Sequence, residues 1–355
     1  SDNVMLGSID SDEPVVALGR LSALTGDQVS LYLQKIIDVE AQRTAAQTLP
    51  DRGWTKNILH LGGGKNSGEQ NLINNHLNAM KSKIEAPMYG GKVESFFKTS
   101  SSPIQVVQST YLDSLVNSGV SMITFFGHSS ANSFDFNLDH PQNYNNYQKY
   151  PLIMALGCYG GTMYSAFPYI SEDFVFEPQA GAGVFLASVG ASALASLNNF
   201  AQEFYYNVSN LHYNEGAAKS VKSAINRLES LSYTTTTQMV CNYMAYHGDP
   251  AYRVSNTEHP DYYIDENLVS HSPEVVTVQQ GTFNLEIDVY NLGKAVDSII
   301  TIRVDRTYPD NSSGFATSIQ IQAPYYRTQV TIPIPIGNAT ALGINKFNIY
   351  VDSDN

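Results

Sequence analysis

The apolar positions of this chain fall into two regimes. In the first, which runs to about residue 255, short uninterrupted apolar runs alternate with segments of helical period. Residues 57–61, 92–98, 123–126, 152–156 and 181–189 are such runs, rich in Ile, Leu, Val, Phe and Met. Runs of that length predict strands buried on both faces, as in a parallel sheet. Residues 69–84, 109–117, 194–210 and 217–230 read as helices, the second of them stopped by Gly119. Thr25 is a candidate N-cap for an earlier helix, with Gln28 as capping-box partner and Val29, Leu33, Ile36 and Ile37 at helical spacing. Residues 14–21 read as a strand ahead of that helix, and residues 48–53 as a linker. Strands alternating with helices predict an α/β domain whose parallel sheet is covered on both faces.

The second regime begins near residues 256–260, where helical period disappears. Residues 275–278, 283–289, 298–304, 319–321, 328–334 and 346–351 read as short strands separated by turn residues. That spacing predicts an all-β sandwich.

Composition narrows the class. A chain of 355 residues that is 43% hydrophobic and 15% charged can build two folded domains and is not a disordered protein. The net charge of −13 argues against a nucleic-acid partner, and its plain reading is solubility. No run approaches the apolar length of a transmembrane span, and no signal peptide is visible. The chain is expected to be part of a longer protein. Its two cysteines, Cys158 and Cys241, read as free thiols, with Cys241 buried and structural.

Two of the apolar runs end in chemistry. Residues 123–126 lead into Gly127 and His128; residues 152–156 lead into Gly157 and Cys158. A thiol becomes a strong nucleophile when a neighbouring base raises its thiolate fraction, and histidine is the usual base. Strand ends of an open α/β sheet face the crevice where ligands bind. Adjacent parallel strands would therefore place His128 and Cys158 side by side, as a cysteine peptidase requires. Gly127, Gly157, Gly160 and Gly161 would admit a substrate backbone and leave main-chain N–H groups for an oxyanion, at roughly 3–4 kcal/mol per donor. The glycine-rich loop at residues 62–68 is not a phosphate loop, because Glu69 stands where Lys-Ser/Thr would follow, nor a dinucleotide fingerprint, because position 67 is Ser67. His128, His140 and Cys158 lack the close pairing of zinc ligands, so no metal is expected at the site.

The run Gly127-His128, a loop, then Ala155 to Cys158 resembles the caspase-like clan of cysteine peptidases, and within it the gingipain family (C25). Residues 14–22, 183–189 and 248–254 resemble flanking gingipain segments, so the likeness spans roughly residues 14–254. The wording around His128 is most similar to the PorU-type sortase branch of type IX secretion. The resemblance implies a caspase-like α/β domain with catalytic Cys158 and His128. It implies an oxyanion hole of Cys158, Gly127 and Ser129, and a substrate pocket touching Phe126, Leu156, Gly62, Gly63 and Glu69. Gingipains carry an orienting carboxylate in the loop after the first strand. The matching positions here are glycines; the nearest acid, Glu69, is the candidate substitute but is not matched in spacing, so a Cys–His dyad is carried over. Phe126 and Leu156 as pocket walls would disfavour Arg or Lys at P1. Family members bind structural calcium, for which Asp135, Asp139 and Asp173 are the candidate ligands; no other cofactor is implied.

The expected organisation is the end of an N-terminal caspase-like subdomain at 1–50, a catalytic domain at 51–255, and an immunoglobulin-like β-sandwich at 260–355, suggested also by Asn291 to Lys294 after a strand. The expected function is cysteine endopeptidase cleavage of secreted or surface proteins at a bacterial outer membrane. Outer-membrane secretion components are the expected partners. The alternatives are a type IX sortase acting as transpeptidase and a non-catalytic surface scaffold that keeps the peptidase fold.

Overall fold

The structure is a computed structural model. It describes residues 7–8, 11–45, 48–103, 105–106, 110–138, 140–163, 169–231, 234–255, 257–337 and 342–353. The chain divides into two compact units, Ser1–Thr257 and Glu258–Asn355.

In the first unit the elements run α1 (Gly26–Ala45), β1 (Asn57–Gly62), α2 (Ser67–Ile84), β2 (Lys92–Phe97), α3 (Thr110–Ser118), β3 (Met122–Phe126), β4 (Leu152–Leu156), α4 (Ile170–Phe176), β5 (Val184–Ser188), α5 (Leu194–Tyr206), α6 (Ala217–Leu231), α7 (Thr235–Tyr243) and β6 (Met244–Gly248). The strands form one sheet in the order β2-β1-β3-β4-β5-β6, parallel except for β6 against β5. Strand order reverses between β1 and β3, which opens a crevice beyond their carboxyl ends.

Every residue of β3, β4 and β5 is buried, which is why these strands read as unbroken apolar runs. His60, Thr124 and Phe126 point to the face covered by α2 and α5: His60 and Thr124 both bond the Tyr205 hydroxyl at 2.7 Å, and Phe126 stacks on His76. Phe185, in the opposite-facing row, packs on Phe174 of α4.

Two expectations fail on exposure. Residues 15–19 are not a strand; beyond the ladder of Gly7–Ser8 with Ser11–Pro14, the segment makes a single parallel bridge, Arg20 to His247. Helix α1 is capped by Thr25, whose Oγ1 accepts from the Gln28 N–H at 3.3 Å, but its apolar stripe does not face the core. Val29, Leu33 and Ile37 are exposed, whereas Tyr32, Lys35, Ile36, Val39 and Arg43 are buried. The buried cations are compensated. Lys35 Nζ donates to the carbonyls of Phe174, Val175, Glu177 and Ala180 at 2.8–3.3 Å and lies over the Tyr150 ring, and Arg43 stacks between Trp54 and Tyr252.

The second unit holds β7 (Val269–Ser272), β8 (Thr282–Asn291), β9 (Ile299–Thr307), β10 (Ser313–Gln322), β11 (Arg327–Pro335) and β12 (Lys346–Ser353). All pairings are antiparallel: β7 and β11 flank β8, and β10 and β12 flank β9. Alternate residues Phe283, Leu285, Ile287 and Val289 of β8 meet Ile300, Ile302 and Val304 of β9 in one core, so the two sheets pack as a sandwich. Residues 275–278 are not a strand; Val275 and Val276 are solvent-facing.

Candidate active site

Phe126 of β3 and Leu156 of β4 are paired in register, and the Gly127 N–H donates to Leu156 O at 3.1 Å. His128 and Cys158 each lie two residues beyond that pair, so neighbouring parallel strands deliver both to the same end of the sheet. Their loops are tied together: Ser129 Oγ donates to Cys158 O at 2.8 Å. Gly157 is required at that seam, because a Cβ there would lie 2.1 Å from Ser129 Oγ. Tyr159, next after Cys158, holds φ at 60°, a left-handed conformation rare outside glycine, and its N–H is fixed by Gly190 O at 3.1 Å. The Cys158 thiol is part-exposed and points to Ser192 O at 3.8 Å; among the described residues no hydrogen bond joins it to His128.

His128 is bound from the other side of the crevice. Its Nε2 lies 2.9 Å from Glu69 Oε2, in the first turn of α2. Asn66 caps that helix, its Oδ1 accepting from the Glu69 N–H at 3.0 Å. The Glu69 carboxylate accepts in addition from the Lys65 N–H at 2.8 Å. Burial alone raises the Glu69 pKa, but the Lys65 N–H and the His128 ring outweigh it and hold the carboxyl below its ordinary value. A carboxylate only accepts, so Nε2 carries the proton, and in the neutral ring the Nδ1 lone pair is the basic atom. In the sequence Glu69 is a pocket candidate and, off the expected spacing, a candidate substitute for the orienting carboxylate. The structure places Glu69 on the histidine, because the helix start rather than the loop brings the acid across the crevice.

The other pocket assignments do not hold. Phe126 and Leu156 are 0% exposed and offer no wall to a substrate. Gly62 and Gly63 are also buried, packed against Phe97 and Asp135. The part of the expected bias against basic P1 residues that rested on those walls loses its basis; the part that rested on the lack of an acid at the matching loop position does not depend on them. Of the three oxyanion groups, the Gly127 N–H is consumed by Leu156 O; the N–H of the nearby Gly161 is likewise taken by Ser188 O. The N–H groups of Ser129 and Cys158 have no hydrogen-bond partner among the described residues and can serve a developing oxyanion.

Asp135 faces protein donors. Its carboxylate is buried and bonded to the N–H groups of Gly64 (2.8 Å) and His128 (3.1 Å) and to Lys98 Nζ (3.4 Å). Asp139 lies outside the described residues, Asp173 sits in the first turn of α4, and among the described residues no group of three or more His, Cys, Asp or Glu side chains is placed to hold a metal. Lys98 was missed, and Asp135 was singled out for calcium rather than for its place beside His128. The signal was present: a lone acid between Phe134 and Phe136 is an acid in an apolar run, which must be partnered. Cys241 is buried, and its thiol is pushed up to about 12 by burial and by the Glu229 charge.

A six-stranded sheet whose crevice lies between β1 and β3, with a histidine and a cysteine at neighbouring strand ends, defines the caspase-like class of cysteine peptidase fold. The model of peptidase family C25 matches residues 1–255, and the chain belongs to that family. Among solved structures, the Arg-specific cysteine proteinase gingipain R (RgpB) aligns over 98% of this chain and 78% of its own, with TM-score 0.58 and 14% identity. The complex of the Porphyromonas gingivalis RgpB pro- and mature domains aligns over 94% and 77%, with TM-score 0.55 and 13% identity. At such identities the likeness establishes the fold. No curated protein matches the sequence. Among the described residues, no helix is long and apolar enough to cross a membrane.

Proposed function

We propose that this C25-family chain is a cysteine endopeptidase acting on secreted or surface proteins, with Cys158 as nucleophile, His128 as base and Glu69 as the residue orienting the histidine. The carrying observation is the placement of His128 and Cys158 at equivalent positions beyond one registered strand pair, with Glu69 bonded to His128 Nε2. His128 Nδ1 takes the thiol proton, the sulfur attacks the scissile carbonyl, and the N–H groups of Ser129 and Cys158 receive the oxyanion. Collapse to the thioester expels the amine, which takes the proton back from His128. Water then releases the acyl group; an incoming amine in its place would give transpeptidation, the sortase outcome. The Glu69 contact supports catalysis over the scaffold alternative, whose appeal was a missing orienting carboxylate. The two-sheet architecture of residues 258–355 supports reading that unit as an immunoglobulin-like module. Secretion to the outer membrane is inferred from the likeness to gingipains.

The test is alkylation with iodoacetamide followed by mass spectrometry. Cys158 should label selectively at neutral pH, and Cys241 should stay unlabelled until the protein is unfolded. Equal, slow reaction of both thiols would sink the assignment. Peptide turnover with and without an amine acceptor then separates hydrolysis from transpeptidation.

A further inference from the structure

We propose that Asp135 is the positioning residue that sets His128 and Glu69 in mutual geometry, a proposal that rests on the peptidase reading above. Three strand-end loops converge on this carboxylate. Oδ2 accepts from the Gly64 N–H, in the loop that leads from β1 to Glu69, at 2.8 Å; it also faces Lys98 Nζ, just past β2, at 3.4 Å. Oδ1 accepts from the His128 N–H itself at 3.1 Å, and the Asp135 N–H returns to His128 O at 2.8 Å. Both partners of the ion pair are nearly inaccessible, with side-chain exposures of 1% for Lys98 and 6% for Asp135.

The glycines of this region are explained by the same carboxylate. A Cβ on Gly63 would sit 2.1 Å from Asp135 Oδ1, and one on Gly127 would sit 2.5 Å away. These two positions are bare so that a buried carboxylate can reach the backbone on both sides of the crevice, not so that a substrate can approach. The site thus has two links across the crevice: Glu69 to His128 by side chains, and Gly64 to His128 through Asp135. The second fixes the main chain on which the first depends. Lys98 supplies the counter-charge to this buried carboxylate, whose two oxygens face all three donors.

The experiment measures the rate of Cys158 alkylation in wild type, Asp135→Asn, Glu69→Gln and the double variant. Whichever way it is flipped, an asparagine amide turns its own donor toward at least one of the three donors that Asp135 accepts from. Asp135→Asn should slow alkylation about tenfold or more, the scale typical of groups that orient a site residue. Glu69→Gln should cost about tenfold in wild type but less than about twofold in the Asp135→Asn background, because the histidine is then already misplaced. Lys98→Met with Asp135→Asn removes the stranded ammonium and should restore folding, judged by protection of Cys241, without restoring the rate. Alkylation of Asp135→Asn at the wild-type rate, or an equal Glu69→Gln factor in both backgrounds, would overturn the proposal. A wild-type Cys158 no more reactive than a free thiol would overturn the catalytic assignment itself, and this inference with it.

Discussion

At the scale of single residues, the proposed site divides into groups assigned to the chemistry and groups assigned to hold them. Cys158→Ala should abolish turnover and leave the melting temperature within a degree or two, since the thiol is part-exposed and, among the described residues, its one hydrogen bond is the long one to Ser192 O. Retained activity would refute the nucleophile. Glu69→Gln replaces a charge-assisted contact worth about 1.5–3 kcal/mol, so kcat/KM should fall about 10- to 100-fold, chiefly in kcat. His128 and Cys158 were legible because each ends an apolar run at a glycine, a signal that survives without three-dimensional information. Glu69 was visible only as the nearest acid. Its role depends on where Asn66 starts a helix and on which strand lies across the crevice, neither of which residue spacing along the chain encodes.

At the scale of elements, buried polar side chains set how strand and helix depend on pH and on each other. His60 sits in the middle of β1, bonded to the Tyr205 hydroxyl, and burial, helped by the Lys81 charge, lowers its pKa to about 3. An unfolded histidine binds a proton near pH 6.5, so between about 6.5 and 3 the unfolded chain holds the extra proton and stability falls as pH drops, by at most on the order of 4–5 kcal/mol. Urea unfolding of wild type and His60→Gln at pH 7 and pH 4 checks this. The variant should lose distinctly less stability between the two pH values, and equal losses would rule the linkage out. Lys35→Met should cost about 3 kcal/mol or more, because it strips the ammonium from four buried carbonyls at the end of α4. A melting temperature unchanged by that substitution would show the carbonyls find other donors. Lys35 also explains why the face of α1 was misread. Periodicity counts apolar residues, and this helix buries cations that carry their own compensation while leaving Val29, Leu33 and Ile37 outside.

At the scale of the whole molecule, the α/β unit and the sandwich were both legible, because they rest on the two periods that sequence patterns report best: unbroken runs for fully buried strands and alternation for strands with one wet face. Each unit has its own hydrophobic core. Residues 258–355 alone should therefore give a β-type circular dichroism spectrum and a cooperative unfolding transition. A non-cooperative melt of that fragment would mean that its core is incomplete without the rest of the chain.

The bridge between Arg20 and His247 has a mechanical consequence. The Arg20 N–H donates to Tyr246 O and the Gly248 N–H to Arg20 O, both at 2.9 Å, while Gly19 lies so close that a Cβ there would sit 2.2 Å from Gly248 O. The segment leading into α1 and the last strand of the sheet are thus stitched to each other. Tension applied along the chain would load that seam at one edge of the sheet. The strand ends that carry His128 and Cys158 belong to inner strands of the sheet, away from that edge, so a pull on the seam should reach β6 before it reaches the crevice.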